Sequence, residues 1–378
     1  MSLEQWGLLE WLSGGGFLLM AVLYAGMILW MVAGWKTIFS SPLPSNLNID
    51  AVGISIIVAA HNEAHNLQRF LPFLLEQRFH RFEVIVVCDR CTDGSVEVVN
   101  HFQSQNQNLK LVKIFFPPPD YAPKKWAVTQ GISAAEYPYI ALIDADCYVS
   151  SDWLQYLAQN FVSQRDLILG LGWYERRKGL LNAFIQFETF YAAFQYMGMA
   201  AQGWPYMAVG RNLAYTQKFF NPSEGFGVFK DMLSGDDDLL VNARGRQAQL
   251  GYLVAPDSAS WSIPEETLTS WLRQKWRHHS ASRRYSWPTK TLLGLTHFSH
   301  MGFYLGFIAS LSVGIPWIWV GIVYLARLLF TGVLMKGIQH KIKAPLNVAV
   351  YPILDLFFFL YNLFVVPIGL IKRPEWRK

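Results

Sequence analysis

The stretch Ile54–Ala60, which reads ISIIVAA, is almost wholly apolar and rich in β-branched residues. Such a run is typical of a strand that is buried on both faces of a parallel sheet. A second run, EVIVVC at Glu83–Cys88, has the same character, and residues 63–78 between the two show the apolar spacing of a helix. Strands that alternate with helices predict an α/β domain with a mostly parallel, doubly wound sheet.

Polar residues follow the predicted strands. Two more strands are predicted at Leu111–Phe115 and Tyr139–Ile143. The polar residues beyond the strand ends are His61, Asn62 and Glu63 after the first strand, Asp89 after the second, and Asp144 and Asp146 after the fourth. Ligands bind beyond the carboxyl ends of the strands in such sheets, so we expect the functional site there. The sequence lacks the usual glycine-rich phosphate loops, so phosphates must be held in another way.

The pair Asp144 and Asp146 predicts a metal site. The two carboxylates lie on alternate residues after an apolar strand, with the small Ala145 between them. Carboxylate oxygens are hard ligands that suit Mg²⁺ or Mn²⁺, and these ions commonly take a diphosphate as a further ligand. An Asp-x-Asp sequence also occurs in ordinary loops, but its place at a strand end favours metal binding.

Two further charged clusters are candidate sites. The acidic run Asp236–Asp238 is either a solvated surface or a helix start, where the helix dipole stabilises carboxylates and one of them can serve as a general base. The run Gln274–His279, which reads QKWRHH, is basic and aromatic. It is either a membrane-surface helix or a site at which Arg277 meets a diphosphate or a sugar ring.

The composition indicates a membrane protein. Of the 378 residues, 52% are hydrophobic and 16% are charged, against about 25% charged in an average soluble domain. The net charge of +5 is unevenly distributed, because residues 1–35 carry −2, residues 291–378 carry +6 and the part between them carries +1. A nearly neutral middle domain does not suit a phosphate backbone, so no nucleic-acid partner is expected.

Hydrophobic segments set the predicted domain boundaries. Residues 11–35 are uncharged and long enough to cross a bilayer. They are interpreted as an anchor rather than a signal peptide, because the run is long and has acidic flanks. Further hydrophobic segments lie near 291–311, 314–334 and 346–371. The predicted organisation is an anchor at 1–36, a cytoplasmic domain at 37–290 and a membrane region at 291–378.

The last hydrophobic segment conflicts with the positive-inside rule. Two crossings after the middle domain return the chain to the cytoplasm at the basic stretch 336–343. A third crossing would place the basic tail 372–378 on the opposite side. A final segment that lies in the interface or re-enters the membrane is therefore favoured.

Taken in order, these motifs resemble the membrane-bound family-two glycosyltransferases, a group that includes cellulose, chitin and hyaluronan synthases and many lipid-directed sugar transferases. The resemblance covers about residues 53–285. On the donor side, Ser55–Glu63 is similar to SVIIPAYNE, Val86–Gly94 to VVDDGSTDG, Pro123–Val128 to GKxxAL and Asp144–Asp146 to DxD. Further on, Gly210–Tyr215 is similar to GxNLAYR, Gly235–Asp237 to TED or GDD, and Gln274–His278 to QxxRW.

The resemblance implies the A-type glycosyltransferase fold and a role for each matching residue. The implied donor-binding residues are His61, Glu63, Asp89, Lys125, Asp144 and Gln274. The implied metal ligands are Asp144 and Asp146, with Mg²⁺ or Mn²⁺. The implied catalytic residues are Asp237 as general base, Asp236 as the neighbouring acid and Arg277 beside the departing diphosphate. The implied acceptor-side residues are Gly210, Asn212, Trp276 and His278.

The function implied is inverting transfer of a sugar from a nucleotide-sugar, with UDP favoured and GDP possible, to a membrane-associated lipid. The lipid could be a polyprenyl phosphate, a sterol-like lipid, a carotenoid or a glycerolipid. A processive polysaccharide synthase is the alternative, and His278 argues against it because that family has Trp at this position. A non-catalytic membrane scaffold or sensor is a third hypothesis. The expected location is a membrane of the bacterial inner-membrane kind, with the catalytic domain in the cytoplasm.

Overall fold

The strand pattern predicted from Ile54 onward is confirmed in a computed structural model, which describes residues 7–41, 47–221 and 224–371. The strands are β1 Ile54–Ala60, β2 Phe82–Asp89, β3 Leu109–Ile114, β4 Tyr139–Leu142, β5 Cys147–Tyr148, β6 Leu167–Gly170, β7 Gly172–Tyr174, β8 Leu213–Thr216, β9 Leu250–Leu253 and β10 Ser260–Ser262. The four strands predicted from sequence are β1 to β4, with ends that differ by at most two residues.

Helices connect and flank these strands. They are α1 Leu8–Ser40, α2 Ala64–Leu75, α3 Ser95–Gln103, α4 Pro123–Ser133, α5 Trp153–Val162, α6 Leu180–Ala201, α7 Gln217–Phe220, α8 Asp238–Arg244, α9 Leu268–Ala281, α10 Trp287–Ser312, α11 Trp317–Ile342, α12 Tyr351–Leu360 and α13 Val366–Ile371. A π-helical turn, Tyr361–Val365, joins α12 to α13.

The main sheet has seven strands in the order β3-β2-β1-β4-β8-β6-β9. Strands β3, β2, β1 and β4 are parallel, and β8 runs antiparallel to both of its neighbours. The carboxyl ends of β1, β2 and β4 therefore lie side by side at one edge. Alternate residues enter two separate cores, with Ile57 and Ile85 in one and Ile56 and Val86 in the other. This two-sided burial explains why β1 and β2 are continuous apolar runs.

A smaller sheet stands beside the main one at that edge. Its order is β5-β10-β7, and β10 pairs antiparallel with β5 and parallel with β7. The turn from β4 to β5 carries Asp144 and Asp146, and the Cys147 N–H donates to the Asp144 carbonyl oxygen over 3.1 Å. The two aspartates are thus fixed at the junction of the two sheets.

The apolar helix α6 lies within the middle part of the chain but packs against α1. The Trp35 indole N–H donates to the carbonyl oxygen of Phe194, over 2.9 Å. The two backbones also approach closely, since a Cβ built on Gly198 would lie 2.7 Å from the carbonyl oxygen of Met31. Small residues of this kind allow close helix contacts between apolar helices. The sequence pattern places α6 in the cytoplasmic domain at 37–290. The boundaries of that domain stay a prediction.

Within the described residues, three helical segments are long and apolar enough to cross a membrane: Leu8–Ser40, Trp317–Ile342 and Tyr351–Ile371. The predicted segment 291–311 forms most of α10, which is not among the three because polar residues such as His297 and His300 interrupt its apolar run. The segment Tyr351–Ile371 has the length of a full crossing, so its interfacial placement stays a prediction. The basic tail 372–378 lies outside the described residues.

Asp355, which interrupts the last apolar run, is buried in a polar cluster between these helices. It pairs with Arg327 of α11, and the Tyr304 hydroxyl of α10 donates to its Oδ2 over 2.7 Å. His300 Nε2 lies 3.2 Å from its Oδ1. Ionisable groups inside an apolar bundle are stable only when they are paired in this way. The cluster ties α12 to α10 and α11.

Candidate active site

A cavity of about 1500 Å³ opens at the carboxyl edge of the main sheet. Three strand ends, α4, α8 and α9 supply its polar lining. Most of the residues singled out from sequence line it: His61, Glu63, Asp89, Asp144, Asp146, Gly210, Asp236, Asp237, Gln274, Arg277 and His278. The fold thus brings together side chains that are as much as 217 residues apart in the chain.

Asp144 and Asp146 lie with Cys147 at one end of the cavity, and potential ligand atoms of the three residues fall within 4.8 Å of one another. The Asp146 side chain is exposed to the cavity, but desolvation by the protein around it, followed by the charge of Asp144, raises the pKa of its carboxyl. A cation at this point would relieve the repulsion between the two carboxylates. The oxygen donors fit Mg²⁺ or Mn²⁺, whereas the Cys147 thiol has a pKa well above its usual range because it is buried.

Lys124 forms ion pairs with Asp144 and with Asp236 of the acidic run. Its Nζ lies 2.9 Å from Asp144 Oδ1 and 3.0 Å from Asp236 Oδ2. Burial opposes the charge on this lysine, but the carboxylates outweigh it and raise the pKa of Lys124 well above its usual value. Lys124 therefore joins the aspartate pair of the β4 end to the acidic run that precedes α8.

Lys125, the lysine selected from sequence, is not brought into the cavity. Its Nζ donates to the main-chain oxygens of Phe229 (2.6 Å) and Ser234 (3.1 Å), and burial lowers its pKa to about 8. The neighbouring Lys124 takes the position facing the site. The sequence did not distinguish the two lysines, because Lys125 shares a helix face with Val128 and Ile132, which are buried like Ala127 and Gly131 on the face of Lys124.

Asp237 is held by two backbone amides. The Gly210 N–H donates to its Oδ2 over 2.6 Å, and the Asp238 N–H donates to its Oδ1 over 2.8 Å. A Cβ on Gly210 would lie 3.0 Å from the same Oδ2, so glycine permits this close approach. Burial and then the charge of Asp236 raise the pKa of Asp237 to about 6. A carboxylate with such a pKa is suited to accept a proton near neutral pH.

The three acidic neighbours have different environments. Burial disfavours the charge of Asp236, but Lys124 more than compensates and lowers the pKa of Asp236. Burial raises the pKa of Asp238 well above its usual value, and the Tyr285 hydroxyl donates to its Oδ2 over 3.0 Å. Carboxylates whose pKa values are pushed apart commonly have separate roles in a site. Asp237 is thus the member of the run best placed to exchange a proton in the cavity.

The end of the cavity beside β1 and β2 has a rigid hydrogen-bond frame. His61 Nδ1 donates to the carbonyl oxygen of Asp89 over 2.6 Å. The Asp89 carboxylate accepts two hydrogen bonds from the guanidinium of Arg90, over 2.9 and 2.8 Å. Glu63 accepts from the Asn66 amide over 2.6 Å, and burial raises its pKa. The His61–Asp89 hydrogen bond joins the ends of β1 and β2, and the other contacts are local to each loop.

Helix α9 is fixed on two sides. Its Lys275 forms a buried ion pair with Glu188 of α6, and its His279 contacts the hydroxyl of Tyr361 in the π-helical turn. Gln274, Arg277 and His278 of the same helix line the cavity. The sequence also allowed α9 to be a membrane-surface helix. That alternative does not explain why Gln274, Arg277 and His278 line the cavity.

Two acceptor-side residues selected from sequence do not line the cavity. Asn212 is buried, with its Oδ1 accepting from the Trp153 indole (3.0 Å) and its amide donating to the main-chain oxygens of Leu171 (2.7 Å) and Ser258 (2.9 Å). It therefore supports the strands behind the site. Trp276 likewise lies outside the cavity lining.

Arg211 lines the cavity but was not selected from sequence. Its guanidinium lies 4.5 Å from the centre of the Tyr174 ring and donates to the Gly172 carbonyl oxygen over 2.9 Å. Burial opposes its charge, but the nearby tyrosine and acidic groups raise the pKa of Arg211. The sequence did contain a signal for Arg211, because it lies between Gly210 and Asn212 in a motif that was already identified.

Two bacterial proteins are similar to this chain in sequence. The chain is 27% identical over 236 residues to the probable glycosyltransferase YdaM of Bacillus subtilis, a match that covers 59% of this chain and 54% of that protein. It is 28% identical over 117 residues to a poly-beta-1,6-N-acetyl-D-glucosamine synthase of Staphylococcus aureus, covering 31% and 27%. The chain thus spans about half the length of the first relative and about a quarter of the second.

A solved structure shares the fold. The mannosyltransferase PcManGT of Pyrobaculum calidifontis, in complex with GDP-Man and Mn²⁺, superposes with a TM-score of 0.56 at 17% identity, over 94% of this chain and 99% of that one. Residues 55–230 match the model of glycosyl transferase family 2. This segment contains β1 to β4, the Asp144–Asp146 turn and Gly210. Residues 55–230 thus form a domain that matches glycosyl transferase family 2.

Proposed function

We propose that the protein transfers one sugar from a nucleotide-sugar to a hydroxyl group of a membrane lipid, with inversion at the anomeric carbon. The observation that carries the proposal is the course of the cavity. From the carboxylates it continues between α10 and the C-terminal helices, past Leu293, Phe298, Met301, Phe358 and Leu370. We call this apolar part the acceptor cleft. An apolar cleft that opens beside the membrane-type segment Tyr351–Ile371 suits a lipid better than a soluble acceptor.

Asp237 is the proposed general base. In the proposed step it takes the proton from the attacking lipid hydroxyl as the new bond to the anomeric carbon forms and the bond to the diphosphate breaks. Its two amide contacts hold the carboxylate in place. Inversion needs a single displacement, so no nucleophilic side chain is required.

The leaving diphosphate needs positive charge. Asp144 and Asp146 would hold Mg²⁺ or Mn²⁺, which supplies charge neutralisation for that group. Lys124 and Arg277 line the same cavity and would contact the diphosphate directly. Arg211 would hold the aspartate turn by its charge.

A processive synthase is the second candidate, and the partial identity with a poly-beta-1,6-N-acetyl-D-glucosamine synthase favours it. Membranes that contain the full chain should be incubated with labelled UDP- and GDP-sugars and Mn²⁺, and then extracted with organic solvent. The expected product is a solvent-soluble lipid whose mass has risen by one sugar. Solvent-insoluble polymer would overturn single transfer in favour of the synthase, and products from heat-inactivated membranes provide the control.

The pH profile tests the role of Asp237. Because its pKa is raised to about 6, the base is protonated and inactive below that pH and active above it. We expect kcat/KM to be flat above about pH 7 and to fall about tenfold per pH unit well below pH 6. The charge of Lys124 lowers this pKa, so Lys124→Gln should move the acidic limb to higher pH, whatever its effect on the maximum rate. An acidic limb that Lys124→Gln leaves in place would contradict the assignment.

A further inference from the structure

The acceptor cleft contains polar groups that its apolar walls do not satisfy. Asn362, in the π-helical turn, is 3% exposed and lines the cavity. No hydrogen bond of ordinary geometry satisfies its amide nitrogen or its amide oxygen within the described residues, although the His297 side chain lies close enough to interact with it. A buried amide without good hydrogen-bond partners destabilises the fold. Its neighbours in sequence, such as Leu363 and Phe364, are apolar, so the helix itself does not require an amide here.

His297 lies opposite, on α10. Its ring is a neighbour of the Asn362 side chain, and its centre lies 6.5 Å from that of Phe358 on α12. His297 also lines the cavity, and its Nδ1 has no partner within the described part of the chain. Asn362 and His297 therefore face the cleft as an interacting polar pair, and each keeps hydrogen-bonding atoms that no described residue satisfies with ordinary geometry. Single-turn π-helices occur frequently at functional sites, in agreement with this position.

Helix α6 adds two similar groups to the same cavity. Thr189 and Gln195 are both more than nine-tenths buried and line it. The Thr189 hydroxyl and the Gln195 amide nitrogen have no partner in the described ranges. Amide, imidazole and hydroxyl groups can each donate and accept hydrogen bonds. The hydroxyl groups of a ligand can do the same and could therefore pair with them.

The acceptor cleft has few charged groups, and this restricts the class of headgroup that it can bind. Apart from Lys290 in the first turn of α10, the cavity-lining residues of α10 and the C-terminal helices are uncharged. The buried Lys275 is already paired with Glu188. A phosphate headgroup is recognised best by charged donors, whereas neutral hydroxyls suit amide and imidazole groups.

We propose that Asn362 and His297 form a polar subsite that binds a neutral, hydroxyl-bearing headgroup, glycerol or a sugar, of the acceptor lipid. This inference rests on the proposed function and specifies the acceptor class of the same site. The subsite holds one headgroup hydroxyl and so presents another to Asp237. Asn362 and His297 are specificity residues, and neither takes part in the proton transfer.

The test compares two acceptors in phosphatidylcholine vesicles: monooleoylglycerol, which is neutral and has two hydroxyls, and farnesyl phosphate, which is anionic. We expect the wild-type chain to glycosylate monooleoylglycerol in preference. Asn362→Leu should raise the KM for monooleoylglycerol about tenfold, the loss expected for one or two hydrogen bonds, with kcat and the KM for the donor nearly unchanged. Phe364→Leu, at an exposed position in the same turn, is the matched control and should change neither constant.

A stability measurement separates binding from folding. Asn362→Leu removes a buried amide without good hydrogen-bond partners, so it should unfold at the same or a higher temperature than the wild type while binding the acceptor more weakly. An unchanged KM in this variant, or a wild-type preference for farnesyl phosphate, would overturn the subsite and leave lipid glycosylation intact. Failure of the wild type to modify any lipid would instead refute the proposed function, and the subsite with it.

Discussion

Asp237→Asn is expected to lower kcat for sugar transfer by about a thousandfold or more while the variant still binds UDP and Mn²⁺. General base catalysis contributes about 10²–10⁴-fold, and an amide cannot take a proton at neutral pH. The substitution keeps the size of the side chain. One of the two backbone N–H contacts, from Gly210 or Asp238, is kept through the remaining oxygen, so a modest loss of stability is expected alongside the loss of rate.

The measurement is steady-state transfer combined with UDP binding by calorimetry in the presence of Mn²⁺. Asp238→Asn is the matched control, because Asp238 is next in sequence, buried and hydrogen-bonded to Tyr285. Burial raises its pKa well above the usual range, so the neutral amide imitates its natural state. We expect this control to keep activity within a few fold. If Asp237→Asn keeps more than a tenth of the wild-type kcat, the base lies elsewhere.

The part of the fold that the sequence predicts well is the part governed by local pattern. Strand β1 is apolar because both of its faces are buried, so its composition alone reveals the parallel sheet. The ends of β1, β2 and β4 meet by topology, which is why the order of strands and helices along the chain suffices to assign His61, Asp89 and Asp144 to one site.

The choice between Lys124 and Lys125 shows where local pattern fails. Both residues begin the same helix, and the packing of α4 on the sheet decides which one faces the carboxylates. Motif similarity locates a functional residue only to within one position of the sequence. Side chains at neighbouring positions of a helix point about 100° apart, so such an error selects the wrong side chain. Asn212 lies behind the cavity for a related reason, since its amide donates to the main-chain oxygens of Leu171 and Ser258, which are distant in sequence.

The acceptor cleft could not be predicted because long-range packing creates it. Helix α6 has no amphipathic pattern, since it is buried on nearly all sides by α1, the sheet and the C-terminal helices. The two polar residues Thr189 and Gln195 are hidden in an apolar run for this reason. Asn362 carries no signal in the sequence beyond being a single amide in an apolar segment, and its position in the cleft becomes visible only with α10 in place.

Asp146→Asn should abolish metal-dependent transfer by weakening the metal site itself. Asp146 is the better test than Asp144, because Asp144 also contacts Lys124 and its loss would disturb two interactions. Replacing a carboxylate by an amide removes one negative charge and one strong ligand. We expect the Kd for Mn²⁺, measured by electron paramagnetic resonance without donor, to rise at least about 100-fold, and kcat/KM to fall by about three orders of magnitude.

Asp152→Asn serves as the control, since Asp152 is another acidic residue close in sequence but pairs with Arg78 outside the cavity. It should change neither the affinity for Mn²⁺ nor the rate. Mn²⁺ affinity is the decisive measurement because activity alone would also fall if the turn between β4 and β5 were distorted. Wild-type affinity for Mn²⁺ together with lost transfer would mean that Asp146 positions the donor and does not ligate the metal. Lys124, which already neutralises Asp144 and Asp236, would then become the main cation facing the diphosphate.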